Sequence, residues 1–510
     1  MTARSEQVTE RLEYAVVVPT VGRPSLGVLL ASLAGQEHPP REVLVVDDRR
    51  EEPSEPLEIP DRPGWRAVRG GGRGPAHARN VGWHGVRDVS VEWVVFVDDD
   101  VRLPRAWSAE LVADLADLDD RVGGSQAVIE VPLPGVAEGR RPTDWERGTA
   151  GLQDAVWATA EMAYRPGALS AVGGFDERFP RAFREDADLA LRVRRSGYEL
   201  VKGSRRIVHP VRPADPWVSV RVQRGNADDA LMRRLHGRDW MRVADCPPGR
   251  LPWHGVTVAA ALAAGAAAVA GRRRVAGAGA LLWLGLVTDF AWRRIAPGPR
   301  DRREVLTMTA TSAVIPFTAV WHRLAGEWRH RRAAAWQAPV RAVLFDRDGT
   351  LVHDVPYNGE PSLVEPVEGA RVAVQRLRDN GIRVGVVTNQ SAVGRGLLTT
   401  DQVAAVNERV DELLGPFDTW QVCPHAPDDG CGCRKPAPGM VHAAADDLGV
   451  APHEVVVVGD IGADVRAAEA AGATGVLVPN AQTRHEEVVA ASLRAGTITE
   501  AVDQILRERP

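Results

Sequence analysis

The stretch RAVLFDRDGT, residues 341–350, decides the fold of the last third of the chain. It is a short apolar run that ends in two carboxylates at alternate positions, Asp346 and Asp348. Carboxylates directly after a buried strand lie at the edge where open α/β sheets bind their ligands. Asp346 can attack phosphorus to form an aspartyl-phosphate. Asp348 can protonate the leaving oxygen and then deprotonate the incoming water.

Two further strand-like runs downstream also end in polar residues. VGVVTNQS, residues 384–391, ends in a hydroxyl and amides that can bind phosphate oxygens. VVVVGDIGAD, residues 455–464, ends in Asp460, with Asp464 beyond it. We predict that Asp460 binds Mg²⁺ opposite Asp346, because Mg²⁺ takes a few carboxylates together with phosphate and water.

A loop between these two runs contains three of the four cysteines and runs directly into Arg434 and Lys435. These two cations suit the charge that develops on a phosphoryl group. One imidazole and three thiols form a closed set that is typical of structural zinc and leaves no position for a reacting water. We therefore predict a structural Zn²⁺, with reduced free thiols as the alternative, at Cys423, His425, Cys431 and Cys433.

In this order the motifs resemble the haloacid dehalogenase phosphatases, over about residues 340–495. The cysteine loop narrows the resemblance to the D-glycero-D-manno-heptose 1,7-bisphosphate 7-phosphatases and their relatives, the histidinol-phosphate phosphatases. The resemblance implies a Rossmann-like domain in which Asp346 is the nucleophile and Asp348 the acid–base. Mg²⁺ would be held by Asp346, Asp460 and the carbonyl of Asp348. The implied substrate contacts are Asp354, Tyr357, Thr388, Asn389, Gln390, Ser391, Arg434 and Lys435.

One position departs from the family pattern. Heptose enzymes of the family often carry Lys directly after the metal-binding Asp, where this chain has Ile461. The short cysteine loop fits both substrate groups. Two hypotheses therefore stay open: D,D-heptose 1,7-bisphosphate, or histidinol phosphate or another phosphate monoester.

The first part of the chain carries a second set of strand-end acids. The runs AVVVP (15–19), EVLVVDD (42–48) and EWVVFVDDD (92–100) lack polar alternation. Such runs are typical of parallel strands covered on both faces, and they predict a second α/β domain. Asp98 and Asp100 form a DxD that can hold a divalent cation against the diphosphate of a nucleotide sugar.

With GRGPAHARNVGW (72–83) and the Glu185-Asp186 pair, this part resembles the family 2 glycosyltransferases with a GT-A fold, over about residues 14–215. The resemblance implies inverting transfer with Asp186 as general base. It implies Mn²⁺ or Mg²⁺ at Asp98, Asp100 and His209, although His209 has a purely structural alternative. A non-catalytic module that binds nucleotide sugars is the alternative for the whole domain. The implied nucleotide-sugar contacts are Thr20, Arg23, Asp47, Asp48, Arg79 and Asn80.

The composition changes between the two α/β parts. GVTVAAALAAGAAAVAG (255–271) and VAGAGALLWLGLVT (275–288) carry no charge, and VLTMTATSAVIPFTAV (305–320) follows. The first two runs are shorter than the roughly 20 residues of a spanning helix. If both spanned, the arginines at 272–274 would have to cross the bilayer, against the positive-inside tendency. We therefore expect a shallow, interfacial or re-entrant hairpin that contacts a membrane through 255–325, with a buried helical linker as the alternative.

The 510 residues exceed what one core normally holds, and we predict three domains. They are a GT-A domain (1–245), an apolar helical linker (246–335) and a haloacid dehalogenase domain with a zinc loop (336–510). The net charge of −5 argues against nucleic-acid binding. Four cysteines and an N-terminus without an apolar signal region favour a cytoplasmic protein, peripheral or integral at the membrane face.

The combined prediction is a bifunctional enzyme of carbohydrate and surface-glycan synthesis. The phosphatase part would act on a sugar phosphate. The transferase part would take a nucleotide-sugar donor and a glycan or lipid-linked acceptor that the sequence does not specify.

Overall fold

A computed structural model of the protein describes residues 12–51, 55–336 and 339–507, apart from the side chain of Arg507. The chain forms two compact units. The first is Met1–Arg194 with Tyr198–Trp336, and the second is Arg195–Gly197 with Gln337–Pro510. We predict from the sequence that the N-terminus has no export signal. Residues 1–11 of that stretch lie outside the described residues. The division into three domains stays a prediction.

The first unit is built on a seven-stranded sheet in the order β3-β2-β1-β4-β6-β5-β7. The strands β3, β2, β1 and β4 are parallel, β6 runs antiparallel to β4 and β5, and β5 pairs with β7 in parallel. Their bounds are β1 (Tyr14–Thr20), β2 (Glu42–Asp47), β3 (Trp65–Arg69), β4 (Trp93–Val97), β5 (Val122–Glu130), β6 (Glu161–Tyr164) and β7 (Glu199–Val208).

Helices cover both faces of this sheet, because β1 is apolar at every position from Ala15 to Val18 and so has two faces to bury. Val16 and Val18 belong to one core and Ala15 and Val17 to the other. The helices are α1 (Ser25–Ala34), α2 (Pro75–Gly85), α3 (Trp107–Leu115), α4 (Asp144–Ala150), α5 (Pro166–Val172), α6 (Glu185–Arg195), α7 (Val218–Arg221), α8 (Asn226–His236) and α9 (Trp240–Val243).

Three long helices complete the first unit: α10 (Leu251–Val269), α11 (Arg273–Ile295) and α12 (Arg302–Arg329). All three are long and apolar enough to cross a membrane. The helices α10 and α11 contain 19 and 23 residues, each more than the uncharged run that it overlaps. The argument from length for a shallow hairpin is therefore wrong, because polar and aromatic flanks extend both helices.

The helix α12 packs directly on the α/β part of the first unit. Gly326 lies so close to α8 that a Cβ there would be 2.6 Å from the Cα of Ala227. Arg233 also donates to Glu327 at 3.1 Å. The helix α11 is also tied to the α/β part, because its buried Arg294 donates to Asp144 of α4 at 2.8 Å. These contacts make the apolar helices part of the same compact unit as the sheet.

The second unit has a five-stranded parallel sheet in the order β10-β9-β8-β11-β12. The strands are β8 (Ala342–Phe345), β9 (Arg383–Asn389), β10 (Thr419–Cys423), β11 (Val455–Gly459) and β12 (Thr474–Leu477). The helices are α13 (Ala370–Asp379), α14 (Ser391–Gly394), α15 (Thr400–Leu414), α16 (Gly439–Leu448), α17 (Gly462–Ala471), α18 (His485–Ala490) and α19 (Ile498–Arg507). Because β8 lies between β9 and β11, the polar residues that follow these three strands meet at one edge of the sheet.

Candidate active sites

Three aspartates meet at the carboxyl edge of the second unit's sheet. Asp346 follows β8, Asp460 follows β11, and Asp464 lies in the first turn of α17. One carboxylate oxygen from each lies within 4.8 Å of the others, and all three residues are buried. The sequence predicts Asp346 and Asp460 as metal ligands, and Asp464 is an additional member. The sequence feature that could have indicated Asp464 is its spacing, one helical turn after Asp460.

Lys435 is the buried cation of this cluster. Its Nζ donates to Asp346 Oδ1 and, at 2.8 Å, to the carbonyl of Val387, and it lies 2.6 Å from Asp464 Oδ1. Burial raises the pKa of Asp346 to about 8; Lys435 opposes the rise, while Asp464 and Asp348 add to it. One ammonium cannot balance three buried carboxylates, so the site fits a further cation. An all-oxygen donor set is what Mg²⁺ prefers.

Two residues that the sequence analysis missed hold Asp460. Asn480 Nδ2 donates to Asp460 Oδ2 at 2.8 Å and to the carbonyl of Gly349 at 3.2 Å. Thr483 Oγ1 donates to the carbonyl of Asp460 at 2.6 Å. Burial raises the pKa of Asp460 to about 6, and Asp464 adds to the rise. Asn480 and Thr483 follow β12 in a segment without a recognisable motif, so no sequence signal indicated them.

The side chain of Asp348 is fixed beside the cluster. Arg347 donates to both of its oxygens, at 3.0 and 2.9 Å, and Gln390 Nε2 donates to Oδ2 at 2.8 Å. Arg347 is held in turn by Asn407 Oδ1 at 2.6 Å. Gln390 also donates to Thr388 Oγ1 at 2.9 Å. Gln390 and Thr388, both predicted substrate contacts, therefore lie beside the predicted acid–base, whereas Arg347 was not assigned a role from the sequence.

Asn389 positions Lys435 through its backbone. The amide of Lys435 donates to Asn389 Oδ1 at 3.1 Å, and Asn389 Nδ2 donates to the carbonyl of Lys435 at 3.2 Å. The structure thus favours a positioning role for Asn389 over the predicted direct substrate contact. Next to it, Arg434 has a buried Nη1 without a hydrogen-bond partner among the described residues. That nitrogen is available to a phosphate oxygen.

Three predicted substrate contacts remain, namely Asp354, Tyr357 and Ser391. Asp354 and Tyr357 are exposed, and Ser391 begins the short helix α14. Burial raises the pKa of Asp354, and the charge of Asp348 adds to the rise. Asp354 and Asn480 help to line a cavity of 400 Å³. Tyr357 lies outside that lining, and its hydroxyl accepts from Arg395 at 3.3 Å.

The four predicted zinc ligands converge as one cluster. Neighbouring ligand atoms are 3.2 to 3.7 Å apart. A tetrahedron with Zn–S bonds of about 2.3 Å has edges of about 3.7 Å, so the cluster has the size of a zinc site. The cysteines form no disulfide. The four ligand atoms, all within 4.8 Å of one another, belong to Cys423, His425, Cys431 and Cys433.

In the first unit, the predicted cation ligands also come together. Oxygens of Asp98 and Asp100 and a ring nitrogen of His209 lie within 4.8 Å of one another. The middle acid, Asp99, points elsewhere and accepts from Thr20 Oγ1 and Arg23 Nη1, each at 2.6 Å. Asp100 Oδ1 is buried and accepts no hydrogen bond from the described residues. The set therefore fits a divalent cation, and Thr20 and Arg23 hold the turn that presents it.

The predicted base lies beside this cluster. The buried Arg79 donates to Asp98 at 2.9 Å and to Glu185 at 2.8 Å. Asp186, in the first turn of α6, accepts from the amide of Ala187 at 2.7 Å. Burial raises the pKa of Asp186, and the charge of Asp98 adds to the rise. A raised pKa suits a carboxylate to act as a general base at neutral pH, because the pKa of an efficient general base lies near the working pH.

The other predicted nucleotide contacts are engaged within the protein. Arg49 donates to both oxygens of Asp47, at 2.9 and 2.8 Å. Asp48 accepts from the amides of Arg73 and Gly74 at 3.0 and 2.9 Å. Asp48, Arg49 and Arg73 line a cavity of 850 Å³, a suitable volume for a nucleotide, whereas Asp47 lies outside its lining.

Asn80 lies away from that cavity and is 7% exposed. Its Nδ2 donates to the carbonyl of Phe175 at 2.9 Å, and its Oδ1 accepts from the amide of the same residue at 2.9 Å. Nδ2 also donates to Glu177 Oε1 at 3.1 Å. The structure therefore favours a role in positioning this loop over the predicted direct nucleotide contact.

Known proteins resemble the two units separately. Residues 15–165 match glycosyl transferase family 2, and residues 357–472 match the haloacid dehalogenase-like hydrolases. The D-glycero-beta-D-manno-heptose-1,7-bisphosphate 7-phosphatase of Bordetella bronchiseptica is 32% identical over 33% of this chain and 99% of its own. The enzyme of the same name from Pseudomonas putida is 36% identical, and the match covers 27% of this chain and 82% of that enzyme. A mannosyltransferase of Pyrobaculum calidifontis, whose structure was solved with GDP-Man and Mn²⁺, is 22% identical. The match covers 62% of this chain and 88% of the mannosyltransferase, with a TM-score of 0.38.

Proposed function

Because the chain belongs, through its second unit, to the heptose-1,7-bisphosphate phosphatase family of haloacid dehalogenase-like hydrolases, we propose that this unit removes one phosphate from D,D-heptose 1,7-bisphosphate. The chain is a fusion of such a phosphatase domain with a family 2 glycosyltransferase domain. It is thus both a phosphoric monoester hydrolase and a glycosyltransferase.

The observation that carries the phosphatase proposal is the position of Lys435 against Asp346. The ammonium holds Asp346 in place and supplies positive charge where the phosphoryl oxygens would lie. Asp346 attacks phosphorus and forms the aspartyl-phosphate. Asp348, fixed by Arg347 and Gln390, gives a proton to the leaving oxygen and then takes one from the attacking water.

Mg²⁺ is the cofactor that this donor set fits. Asp346, Asp460, Asp464 and the carbonyl of Asp348 would hold it, and when bound it would neutralise charge on the phosphoryl group. Asn480 and Thr483 keep Asp460 in the orientation that this role needs. The membership of Asp464 extends the ligand set expected from the sequence.

A structural Zn²⁺ in the cysteine cluster is proposed on its size and donor chemistry. The loop that it would hold runs from Cys433 directly into Arg434 and Lys435. On this account the zinc has no reacting ligand and serves to fix the two cations against the phosphate.

For the first unit, we propose inverting transfer from a nucleotide sugar. Asp98, Asp100 and His209 would hold Mn²⁺ or Mg²⁺, which would bind the donor diphosphate. Asp186 takes the proton from the acceptor oxygen. Both activities need cytosolic substrates, so we propose a cytoplasmic protein at the membrane face, acting in the synthesis of a surface glycan that contains heptose or a related sugar.

A panel of phosphate monoesters assayed with the full chain and Mg²⁺ tests the substrate. D,D-heptose 1,7-bisphosphate should have a kcat/KM at least tenfold above those of fructose 1,6-bisphosphate and histidinol phosphate, and the phosphate at C7 should be lost. Ile461, which stands where heptose enzymes often carry Lys, makes histidinol phosphate the critical comparison. A clear preference for histidinol phosphate would remove the heptose assignment.

A further inference from the structure

A cationic side chain without a charged partner lies beside the phosphatase site. Arg395 directly follows the short helix α14 and is exposed. Its Nη1 donates to the hydroxyl of Tyr357 at 3.3 Å, and Arg395 forms no ion pair with any residue in the part of the chain that the structure describes. Tyr357 is one of the substrate contacts expected from the sequence, so a substrate that reaches Tyr357 also reaches this guanidinium.

The backbone that carries Arg395 is tied to the catalytic residues. The helix α14 begins at Ser391, directly after Gln390, whose Nε2 donates to Asp348 Oδ2 at 2.8 Å. The amide of Arg395 donates to the carbonyl of Ser391 at 3.2 Å. A single helical turn therefore separates Arg395 from the residue that contacts the predicted acid–base.

The same turn rests on the cysteine loop. The amide of Gly394 donates to the carbonyl of Pro424 at 2.8 Å. A Cβ at Gly394 would lie 2.7 Å from the amide nitrogen of Ala426, closer than side-chain carbons come to a backbone. The lack of a side chain at Gly394 thus lets α14 lie directly against the loop that contains the proposed zinc ligands and continues into Lys435. Arg395 and Lys435 are therefore carried by segments that contact each other.

Tyr357 reaches Arg395 from the segment that follows the DxD motif. Its backbone is left-handed, with a φ of 55°, which is uncommon for a residue other than glycine. Close packing continues two residues later, because a Cβ at Gly359 would lie 2.8 Å from Leu398 Cδ2. Residues other than glycine keep this conformation only where their surroundings fix it, and they cluster at ligand-binding sites. The pair of Tyr357 and Arg395 thus joins two segments beside the site in one defined arrangement.

The other cations of the site already have a partner or a task. Lys435 lies against two carboxylates of the aspartate cluster, and Arg347 is bound to Asp348. Arg434 offers one buried nitrogen, which an oxygen of the reacting phosphate would occupy. Ile461 contributes no charge at the position where heptose enzymes often carry Lys. A second phosphate on the substrate therefore needs a cation other than these.

The acids near Arg395 leave its charge available. The segments 351–363 and 391–399 contain two basic side chains, His353 and Arg395, and two acidic ones, Asp354 and Glu360. Neither acid pairs with Arg395 in the structure as described. A phosphate monoester carries about 1.5 to 2 negative charges near pH 7, and a guanidinium can bind two of its oxygens at once. Arg395 is thus suited to a phosphate that is not the reacting one.

We propose that Arg395 is a specificity-determining residue of the phosphatase and binds the phosphate that the substrate retains. The proposal rests on the phosphatase function given above and makes the substrate class sugar bisphosphates. With the C7 phosphate at Asp346, the C1 phosphate lies against the guanidinium of Arg395. The hydroxyl of Tyr357, which accepts from Arg395, donates to the same phosphate. No bond is made or broken at Arg395, so its contribution is to KM more than to kcat.

Two esters that differ by one phosphate isolate this contact: D,D-heptose 1,7-bisphosphate and D,D-heptose 7-phosphate. Steady-state hydrolysis of both by the full chain with Mg²⁺ gives the ratio of their kcat/KM values. The parent should favour the bisphosphate at least tenfold. Arg395→Gln should bring this ratio close to one through a higher KM for the bisphosphate, because an interaction made equally in the ground and transition states is lost. A ratio in Arg395→Gln within twofold of the parent's overturns the proposal.

A matched variant and the salt dependence separate the charge of Arg395 from its packing. Arg383 is also exposed and donates to a neutral oxygen, the carbonyl of Leu448, but it lies at the amino end of β9, away from the site. Arg383→Gln should therefore keep the parent's ratio. High salt should lower the ratio in the parent and leave it unchanged in Arg395→Gln, since an exposed ion pair is screened. A ratio in the parent that does not respond to salt would show that Arg395 acts without its charge, and the proposal would fail.

Histidinol phosphate distinguishes failure of this inference from failure of the proposed function. If the parent prefers histidinol phosphate to both heptose esters, the heptose assignment fails and the role of Arg395 fails with it. If the parent hydrolyses both heptose esters better than histidinol phosphate but with equal kcat/KM values, the heptose assignment stands and only the site for the second phosphate fails.

Discussion

The two aspartate clusters of the chain neutralise their charge in different ways. In the transferase site, Asp98 pairs with Arg79, which also donates to Glu185, and Asp100 pairs with Arg212. Each of the two predicted carboxylate ligands therefore has a guanidinium partner. In the phosphatase site, three buried carboxylates share the single ammonium of Lys435. Burial raises the pKa of Asp346 to about 8, the charges of Asp464 and Asp348 add to the rise, and Lys435 opposes it. The comparison teaches that the phosphatase carboxylates have fewer cationic partners than the two transferase aspartates, so the phosphatase site should gain more from a bound cation.

The largest expected effect comes from removing one acid from each cluster. Asp346→Asn should lower phosphatase kcat/KM by about 10⁴-fold or more, as loss of a nucleophile does in other enzymes, and should leave transferase activity unchanged. Asp100→Asn should lower transferase activity and leave phosphatase activity unchanged. Steady-state assays of both reactions on both variants give the test. A variant that loses both activities while keeping the circular dichroism spectrum of the parent would show that the sites are not independent.

Loss of the zinc cluster should have the next largest effect. Cys431→Ser should displace the segment that carries Lys435 and lower phosphatase kcat by about 10²-fold, the cost expected for a misplacement of about 1 Å. Transferase activity should stay the same. Cys246→Ser is the matched control, because Cys246 lies in the other unit. Metal analysis should find one zinc per chain in the parent and in the control, and none in Cys431→Ser. A parent without zinc would contradict the assignment.

The difference in charge balance predicts a difference in cation binding. Without substrate, the phosphatase site should bind Mg²⁺ or Mn²⁺ at least about tenfold more tightly than the transferase site, because unbalanced carboxylates favour a cation. Titration with Mn²⁺, followed by electron paramagnetic resonance, measures both sites. Asp460→Asn should remove the tighter class and Asp100→Asn the weaker class. Tighter binding at the transferase site would break the comparison.

The smallest expected effect concerns stability alone. The side-chain hydrogen bond from Arg49 lowers the pKa of Asp47 from 3.8 to about 2. A carboxyl whose pKa is lower in the folded state stabilises the fold above its unfolded pKa and loses that contribution as the pH falls through the folded pKa. Asp47→Asn should therefore cost about 2 kcal/mol at pH 6, and the difference from the parent should disappear between about pH 4 and 2. Thermal unfolding across this range is the measurement, with the exposed Asp61→Asn as control.

The convergence of several acids in each site was predictable from the sequence, because these acids follow apolar strands. Asp346 and Asp460 follow neighbouring parallel strands, which brings them together, whereas Asp98 and Asp100 both follow β4. The cysteine cluster was predictable for a similar reason, since its four members lie within one loop.

Residues that act from irregular segments were not predictable. Asn480 and Thr483 hold Asp460 from the segment after β12, which has no motif. Arg347 stands inside the DxD motif, but only the structure shows that it holds Asp348 and is held by Asn407. The length of the apolar helices was also underestimated, because helix formation continues past the uncharged runs into flanks such as Trp253 and Trp292.

The central claim, that Asp346 carries the phosphoryl group, is tested most directly by trapping the phosphorylated protein. The full chain with Mg²⁺ and D,D-heptose 1,7-bisphosphate is quenched in acid within one turnover, and its peptides are analysed by mass spectrometry. We predict a phosphate on Asp346 of the peptide around residues 341–350. A phosphate on any other residue, or turnover by Asp346→Asn at the rate of the parent, would contradict the account.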